Sequence, residues 1–296
     1  MRNPLSTTIL VFQHAAQLSA HTGDADTARY RDLMVPTVNE SNQPRLAVVT
    51  GVGRRRSIGA GLAVGLARDG WDLALNYWRP YDERLGYERN ADDPESIAAE
   101  CRALGVSVRL VPGDLSDPEV PAALLAAARE LGPVTGLVMS HCESVDSSIL
   151  TTDVTGWDRH FAVNARATWL LIKAFAEQLP ASVAPGEVGG RIVALTSDHT
   201  VHNLPYGASK GALDRIVTAA AVELADRGVR ANVINPGPID TGWMDDGIRA
   251  SGIEATPAGR LGTADDTANL VRFLFSDQGS WMNGQILMSN GGFAVG

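Results

Sequence analysis

Tyr206 and Lys210 stand four residues apart in the run Tyr206-Gly207-Ala208-Ser209-Lys210. On a helix that spacing puts a phenol and an ammonium on one face. A free tyrosine titrates near a pKa of about 10, too high for easy proton exchange at neutral pH. A neighbouring cation favours the phenolate and draws the group toward the working pH. Such a tyrosine can pass a proton to a carbonyl oxygen while hydride arrives at the carbon. The spacing alone also fits an ordinary helix surface, so its weight depends on what surrounds it in the chain.

The elements around this run are regular from Arg45 onward. Apolar runs at Leu46–Thr50, Leu73–Tyr77, Val106–Val111, Gly136–Ser140, Ile192–Thr196, Val229–Ile234 and Gln285–Met288 predict strands. Between them, helices are predicted over Ile58–Arg68, Ile97–Leu104, Pro118–Leu131, Trp157–Gln178, Tyr206–Asp226 and Ala264–Phe275. Strictly alternating strands and helices predict an α/β domain, a doubly wound parallel sheet covered on both faces. The link from Trp78 to Pro94 is long, aromatic and charged where a few residues would serve, and reads as a tolerated surface insertion or a functional flap. Residues 1–44 lack clean periodicity and read as a loosely docked extension or as sequence ahead of the true start, with the catalytic domain at 45–296.

Composition bounds the function. The 296 residues carry 25 Lys+Arg against 34 Asp+Glu, a net charge of −9 that argues against a general nucleic-acid binder. Two cysteines, Cys101 and Cys142, are too few for a disulfide framework, and no Cys/His spacing suggests a metal site. No apolar run approaches the roughly 20 residues needed to cross a bilayer. A cytoplasmic protein with no membrane partner is expected.

The turn after the first strand reads Thr50-Gly51-Val52-Gly53-Arg54-Arg55-Arg56-Ser57-Ile58-Gly59-Ala60-Gly61. Its glycines allow a sharp turn and close backbone approach, and the following helix N-terminus suits a pyrophosphate. At a first strand-to-helix turn this fits a Rossmann-type dinucleotide crevice. The second strand ends Asn76-Tyr77-Trp78-Arg79, without the carboxylate that usually binds the ribose of NAD. Arg54, Arg55 and Arg56 offer planar cations for a 2′-phosphate, so NADP(H) is favoured over NAD(H).

Taken in order, these motifs resemble the short-chain dehydrogenases/reductases over nearly all of Arg45–Gly292. The further matches are Asp114-Leu115, Asn164 in Val163-Asn164-Ala165, Ser197, the Tyr206/Lys210 pair, and Asn235-Pro236-Gly237-Pro238-Ile239-Asp240-Thr241. The resemblance implies a sheet of about seven strands and carbonyl/alcohol interconversion, most like the 3-oxoacyl-acyl-carrier-protein reductases. It implies Tyr206 as acid or base, Lys210 as its partner and ribose ligand, Ser197 on the substrate oxygen, and Asn164 bending its helix and positioning Lys210. It places Asp114 and Leu115 beside the adenine, and Pro236, Gly237, Ile239 and Thr241 near the nicotinamide. It also implies a homodimer or homotetramer and a small, possibly thioester-linked, substrate.

The chain departs from the family pattern in three ways. The glycine loop is long and looks more like the enoyl-reductase branch, which leaves enoyl-thioester reduction as an alternative. A non-catalytic NADP(H) sensor is the other. Met139-Ser140-His141-Cys142 replaces the family's Asn-Asn-Ala-Gly, and His141 and Cys142 read as packing residues. Ser197 and Tyr206 are nine apart, closer than the family's usual dozen or so, and Thr196 and Ser209 compete for the serine's role. His199 and His202 read as surface-loop residues, and Trp243 and Met244 as a lid or as core contacts.

Overall fold

The computed structural model describes residues 45–87 and 93–293, so the extension at 1–44 lies outside the described residues. Seven strands form one sheet: β1 (Leu46–Val49), β2 (Asp72–Tyr77), β3 (Val108–Pro112), β4 (Gly136–Met139), β5 (Gly190–Leu195), β6 (Val229–Asn235) and β7 (Ile286–Met288). Their order is β3-β2-β1-β4-β5-β6-β7, and every pairing is parallel. The order reverses between β1 and β4, and in such sheets ligands bind beyond the strand ends at that switch point.

The helices follow the apolar pattern. α1 (Ile58–Arg68), α3 (Asp93–Ala103) and α9 (Ala264–Leu274) flank a core that includes Leu62, Leu66, Ile97, Val271 and Phe275. A second core includes residues of α4 (Val120–Arg129), α6 (Ala167–Gln178) and α7 (Leu204–Glu223), among them Leu124, Leu171, Phe175, Leu213 and Val217. β1 and β4 contribute to both clusters, through Ala47 and Val49 or Leu46 and Val48, and through Val138 or Leu137 and Met139. A strand buried on both faces must be apolar at successive positions, which is why these strands read as continuous apolar runs.

The helix expected at Ile97–Leu104 begins earlier, at Asp93, and three further segments differ from the sequence reading. The helix expected at Trp157–Gln178 begins earlier, as α5 (Val154–His160), and passes through a π-helical turn (Phe161–Arg166) into α6. The link after β2, read as a surface insertion or a flap, holds a short helix, α2 (Arg79–Leu85), among its described residues. The segment after Thr241 holds α8 (Asp246–Glu254), capped by the Asp245 carboxylate accepting from the Ile248 N–H at 2.8 Å. None of the helices among the described residues is long and apolar enough to cross a membrane.

Candidate active site

Tyr206 lies in the first turn of α7, immediately after Pro205, whose fixed φ suits a helix start. Lys210 follows one turn on and is buried, its Nζ donating to the Leu195 carbonyl at 2.8 Å and standing 5.7 Å from the Tyr206 ring centre. Ser197, just beyond β5, lies beside the Tyr206 phenol despite the short connection and draws its pKa down. Ser209 points away: its hydroxyl donates to the Tyr206 carbonyl at 2.8 Å and accepts from Asn164 at 2.9 Å. The competing Thr196 is buried, with its side chain beside Asp214.

The connection achieves this by close packing. A Cβ on Gly207 would fall 2.1 Å from the His199 carbonyl oxygen, a backbone atom. Ser197 Oγ in turn accepts from the His199 N–H at 3.1 Å. Gly207→Ala should push this loop outward and take Ser197 with it. We expect a loss of about 1–3 kcal/mol of stability from overpacking, with kcat lowered as well, measured by denaturant unfolding and steady-state rates. His199 and His202 are exposed on this loop, and His202 takes a left-handed φ of 62°.

Electrostatics at the pair differ from the sequence expectation. Burial is the largest influence on Tyr206 and pushes its phenol up, with Cys142 adding to the rise and Ser197 opposing it. Burial pushes Lys210 down, while Cys142 and Asp214 oppose that shift. The low-dielectric site thus favours neutral forms of both groups, and the phenol stays protonated through neutral pH.

Asn164 sits in the π-helical turn with no exposed surface. Its Oδ1 accepts from the Glu143 N–H at 2.8 Å, and its Nδ2 donates to the Glu143 carbonyl and to Ser209 Oγ, both at 2.9 Å. It therefore reaches the Tyr206 turn through Ser209, whereas its expected link is to Lys210.

A cleft opens at the glycine loop and reaches Cys142 and Val163. Gly51, Gly53, Arg54, Ser57, Ile58, Asp114, Leu115 and Thr241 line it, together with Ser140, His141, Cys142 and Glu143 beyond β4. Gly51 turns with φ of 76°, a conformation side chains disfavour, and Ser57 caps α1 by accepting from the Ala60 N–H. Of the other predicted cofactor residues, Gly59 packs behind Gly51, and Pro236, Gly237 and Ile239 form the turn leading to Thr241. The residues fit a dinucleotide: a glycine turn, an opening helix N-terminus and a cleft at the switch point.

The three arginines diverge. Arg54 turns inward, donating to Asp82 at 2.7 Å and to the Thr241 carbonyl at 2.5 Å. Arg55 pairs with Glu100 and Arg56 with Asp240, and both remain about half exposed. Asp114 accepts from Arg159, which also donates to the buried Glu143 carboxylate at 3.1 Å, and Arg84 of α2 pairs with that same carboxylate. This ionic group was not apparent in the sequence, where its members are spread across four segments. Met244 is buried as a core contact, and Trp243 is half exposed with its indole N–H on the Ile239 carbonyl.

His141 corrects the packing reading. Its Nε2 stands 3.0 Å from the Val163 carbonyl, which can only accept, so that nitrogen carries the proton. Nδ1 then accepts from Thr50 Oγ1 at 2.7 Å, and Thr50 accepts from the Ser140 and His141 N–H groups. A neutral ring thus ties β1, β4 and the π-helical turn together. Burial pushes His141 down to about 3, with Lys210 adding to the shift. Because the folded value lies below the unfolded one, the unfolded state takes up the proton first. His141 therefore contributes full stability above about pH 6.5, and this is lost progressively as pH falls toward 3. Between pH 7.5 and 5 the loss should be about 2 kcal/mol. Denaturant unfolding across that range should show a shallower dependence for His141→Asn.

Comparison with known proteins agrees with this geometry. A family model described as Enoyl-(Acyl carrier protein) reductase matches residues 51–294. The chain is 32% identical over 262 residues to an uncharacterized oxidoreductase of Bacillus subtilis, covering 86% of this chain and 99% of that one. It is 35% identical to an NADPH-dependent aldehyde reductase-like protein of Arabidopsis thaliana, covering 84% and 94%. Among solved structures, a blue fluorescent protein from a metagenomic library in complex with NADPH superposes with a TM-score of 0.72 at 27% identity, covering 85% and 98%.

Proposed function

Because this chain belongs to the short-chain dehydrogenase/reductase family, and so is an oxidoreductase acting on CH–OH and C=O groups, we propose that it reduces a carbonyl with NADP(H), in the manner of 3-oxoacyl reductases. The observation that carries this reading is Ser197 set beside the Tyr206 phenol, where it draws the phenol's pKa down, with Lys210 one turn further along the same helix. Two hydroxyls so placed can converge on one substrate oxygen. Ser197 donates to it and stabilises the charge developing there. The Tyr206 O–H then gives its proton to that oxygen. Hydride at the carbon is what a bound nicotinamide would supply. Lys210 Nζ spends one donor proton on Leu195, leaving at least one for a ribose hydroxyl.

Support for NADP(H) over NAD(H) comes from the end of β2, where Tyr77, Trp78 and Arg79 offer no carboxylate. Arg55 and Arg56 are held only by exposed ion pairs, which are weak and easily exchanged for a phosphate. A relative named for NADPH and a similar structure holding NADPH point the same way. The enoyl-thioester reading rests on the glycine loop and on the description of the matching family model. The homo-oligomer is best placed on α6 and α7, where Trp169 and Val222 are exposed apolar side chains.

The test is oxidation of NADPH and of NADH against β-keto thioesters, small ketones and aldehydes, quinones and enoyl thioesters. Faster turnover of carbonyl substrates with NADPH is expected. Turnover of the enoyl thioesters alone would overturn the carbonyl reading, and preference for NADH would overturn the cofactor choice.

A further inference from the structure

Helix α2 sets an acid against the glycine loop. Asp82 is only 7% exposed, although it sits on a seven-residue helix in a surface connection. Its Oδ1 accepts from Arg54 Nε at 2.7 Å. Its Oδ2 lies 3.1 Å from where a Cβ on Gly53 would stand. Gly53 belongs to the loop whose glycines, in a dinucleotide site, let the backbone approach a pyrophosphate. Asp82 thus occupies space that a side chain at position 53 would crowd.

The rest of the segment supports this placement. Tyr81, beside Asp82, lines the same cleft and is hydrogen-bonded to the Ser144 carbonyl at 3.5 Å. Tyr87, just past the helix, lies under the Arg54 guanidinium at 4.6 Å and against Tyr81 at 6.2 Å. Arg54 also reaches the Thr241 carbonyl, so one cation joins the glycine loop, α2 and the start of the segment bearing α8. A guanidinium binds carboxylate and phosphate in the same planar fashion. Two anions cannot share that position, because each repels the other in a partly buried site.

We propose that Asp82 is an internal stand-in for the cofactor's phosphate, so that α2 occupies the diphosphate end of the cleft and cofactor entry exchanges Asp82 for phosphate on Arg54. The proposal rests on the reading of this cleft as the NADP(H) site. An internal competitor lowers apparent affinity by the fraction of molecules in which the site is open. Asp82→Asn keeps the side chain's shape and removes its charge.

The experiment is NADPH titration of the full chain and its Asp82→Asn variant by fluorescence, with hydrogen exchange of the Arg79–Leu85 amides in the unaltered protein. The variant should bind NADPH about tenfold more tightly. Exchange across α2 should rise when NADPH is added, because the helix is displaced. Unchanged or weaker binding by Asp82→Asn overturns the proposal, and so does slower exchange, which would mean that α2 closes over the bound nucleotide. Absence of saturable binding by either protein overturns the NADP(H) reading of the cleft itself, and this proposal with it.

Discussion

Tyr206→Phe should lower kcat/KM for carbonyl reduction by about 10²–10⁴-fold, the range that a positioned general acid contributes. The phenyl ring keeps the packing of the first turn of α7, and the only polar group lost is the hydroxyl that Ser197 contacts. Stability should therefore change little while the rate collapses. NADPH binding should persist, which separates a missing acid from a missing site. The direction of the shift at Tyr206 adds a second signature. Burial holds the phenol above its ordinary value, so the acid form survives well past neutrality. Reduction should hold level through neutral pH and fail only in the alkaline range. Alcohol oxidation needs the deprotonated form and should climb as pH rises. Profiles of kcat/KM in both directions check this. A Tyr206→Phe variant retaining more than a tenth of the activity would assign the proton to another group.

The largest expected loss of stability is at Asn164. Asn164→Ala removes three hydrogen bonds from a position with no exposed surface. Two of them satisfy the N–H and carbonyl of Glu143, which lies in a segment lining the cleft. Leaving buried polar groups unpaired costs about 1–3 kcal/mol each, so a total near 3–5 kcal/mol is expected. Activity should fall too, because Ser209 loses its donor and Ser209 itself holds the Tyr206 carbonyl. Asn164→Asp keeps the acceptor for the Glu143 N–H but sets a carboxylate against the Glu143 carbonyl, so it should rescue only part of the loss. Chemical unfolding at pH 7 decides the matter, and a loss under about 1 kcal/mol for Asn164→Ala would mean that water replaces the amide.

The strands were legible because burial on both faces writes itself as unbroken apolar runs, as at Leu46–Val49. Helix α1 was legible to the residue, since Ser57 caps it and the apolar period starts at Ile58. Tyr206 and Lys210 were legible because a fixed interval on one helix survives any tertiary arrangement. What escaped depends on contacts between distant segments. Arg54 looks like a free cation until Asp82 and Thr241 are brought to it by the fold. His141 looks like filler until Thr50 and Val163 meet its two nitrogens. The α2 helix did leave a local trace, Pro80 in its first turn and Gly86 at its left-handed end, an asymmetry that marks helix boundaries. Aromatic and charged residues along the link obscured it.

The π-helical turn at Phe161–Arg166 has a consequence for rotational phase. A wide turn accommodates an additional residue, so side chains beyond it are rotated about the axis relative to those of an uninterrupted α-helix. Before the shift, His160 is directed at the Val145 N–H; within it, Asn164 meets Glu143; after it, Leu171 and Phe175 enter the core. One continuous rod thus meets two separate angular demands, one from the reactive end and one from the hydrophobic interior. Removing a single residue from the turn would restore ordinary winding at the cost of putting one of those sets out of register. Chain length in this short stretch is accordingly constrained as well as the identity of Asn164, whereas surface loops tolerate insertion.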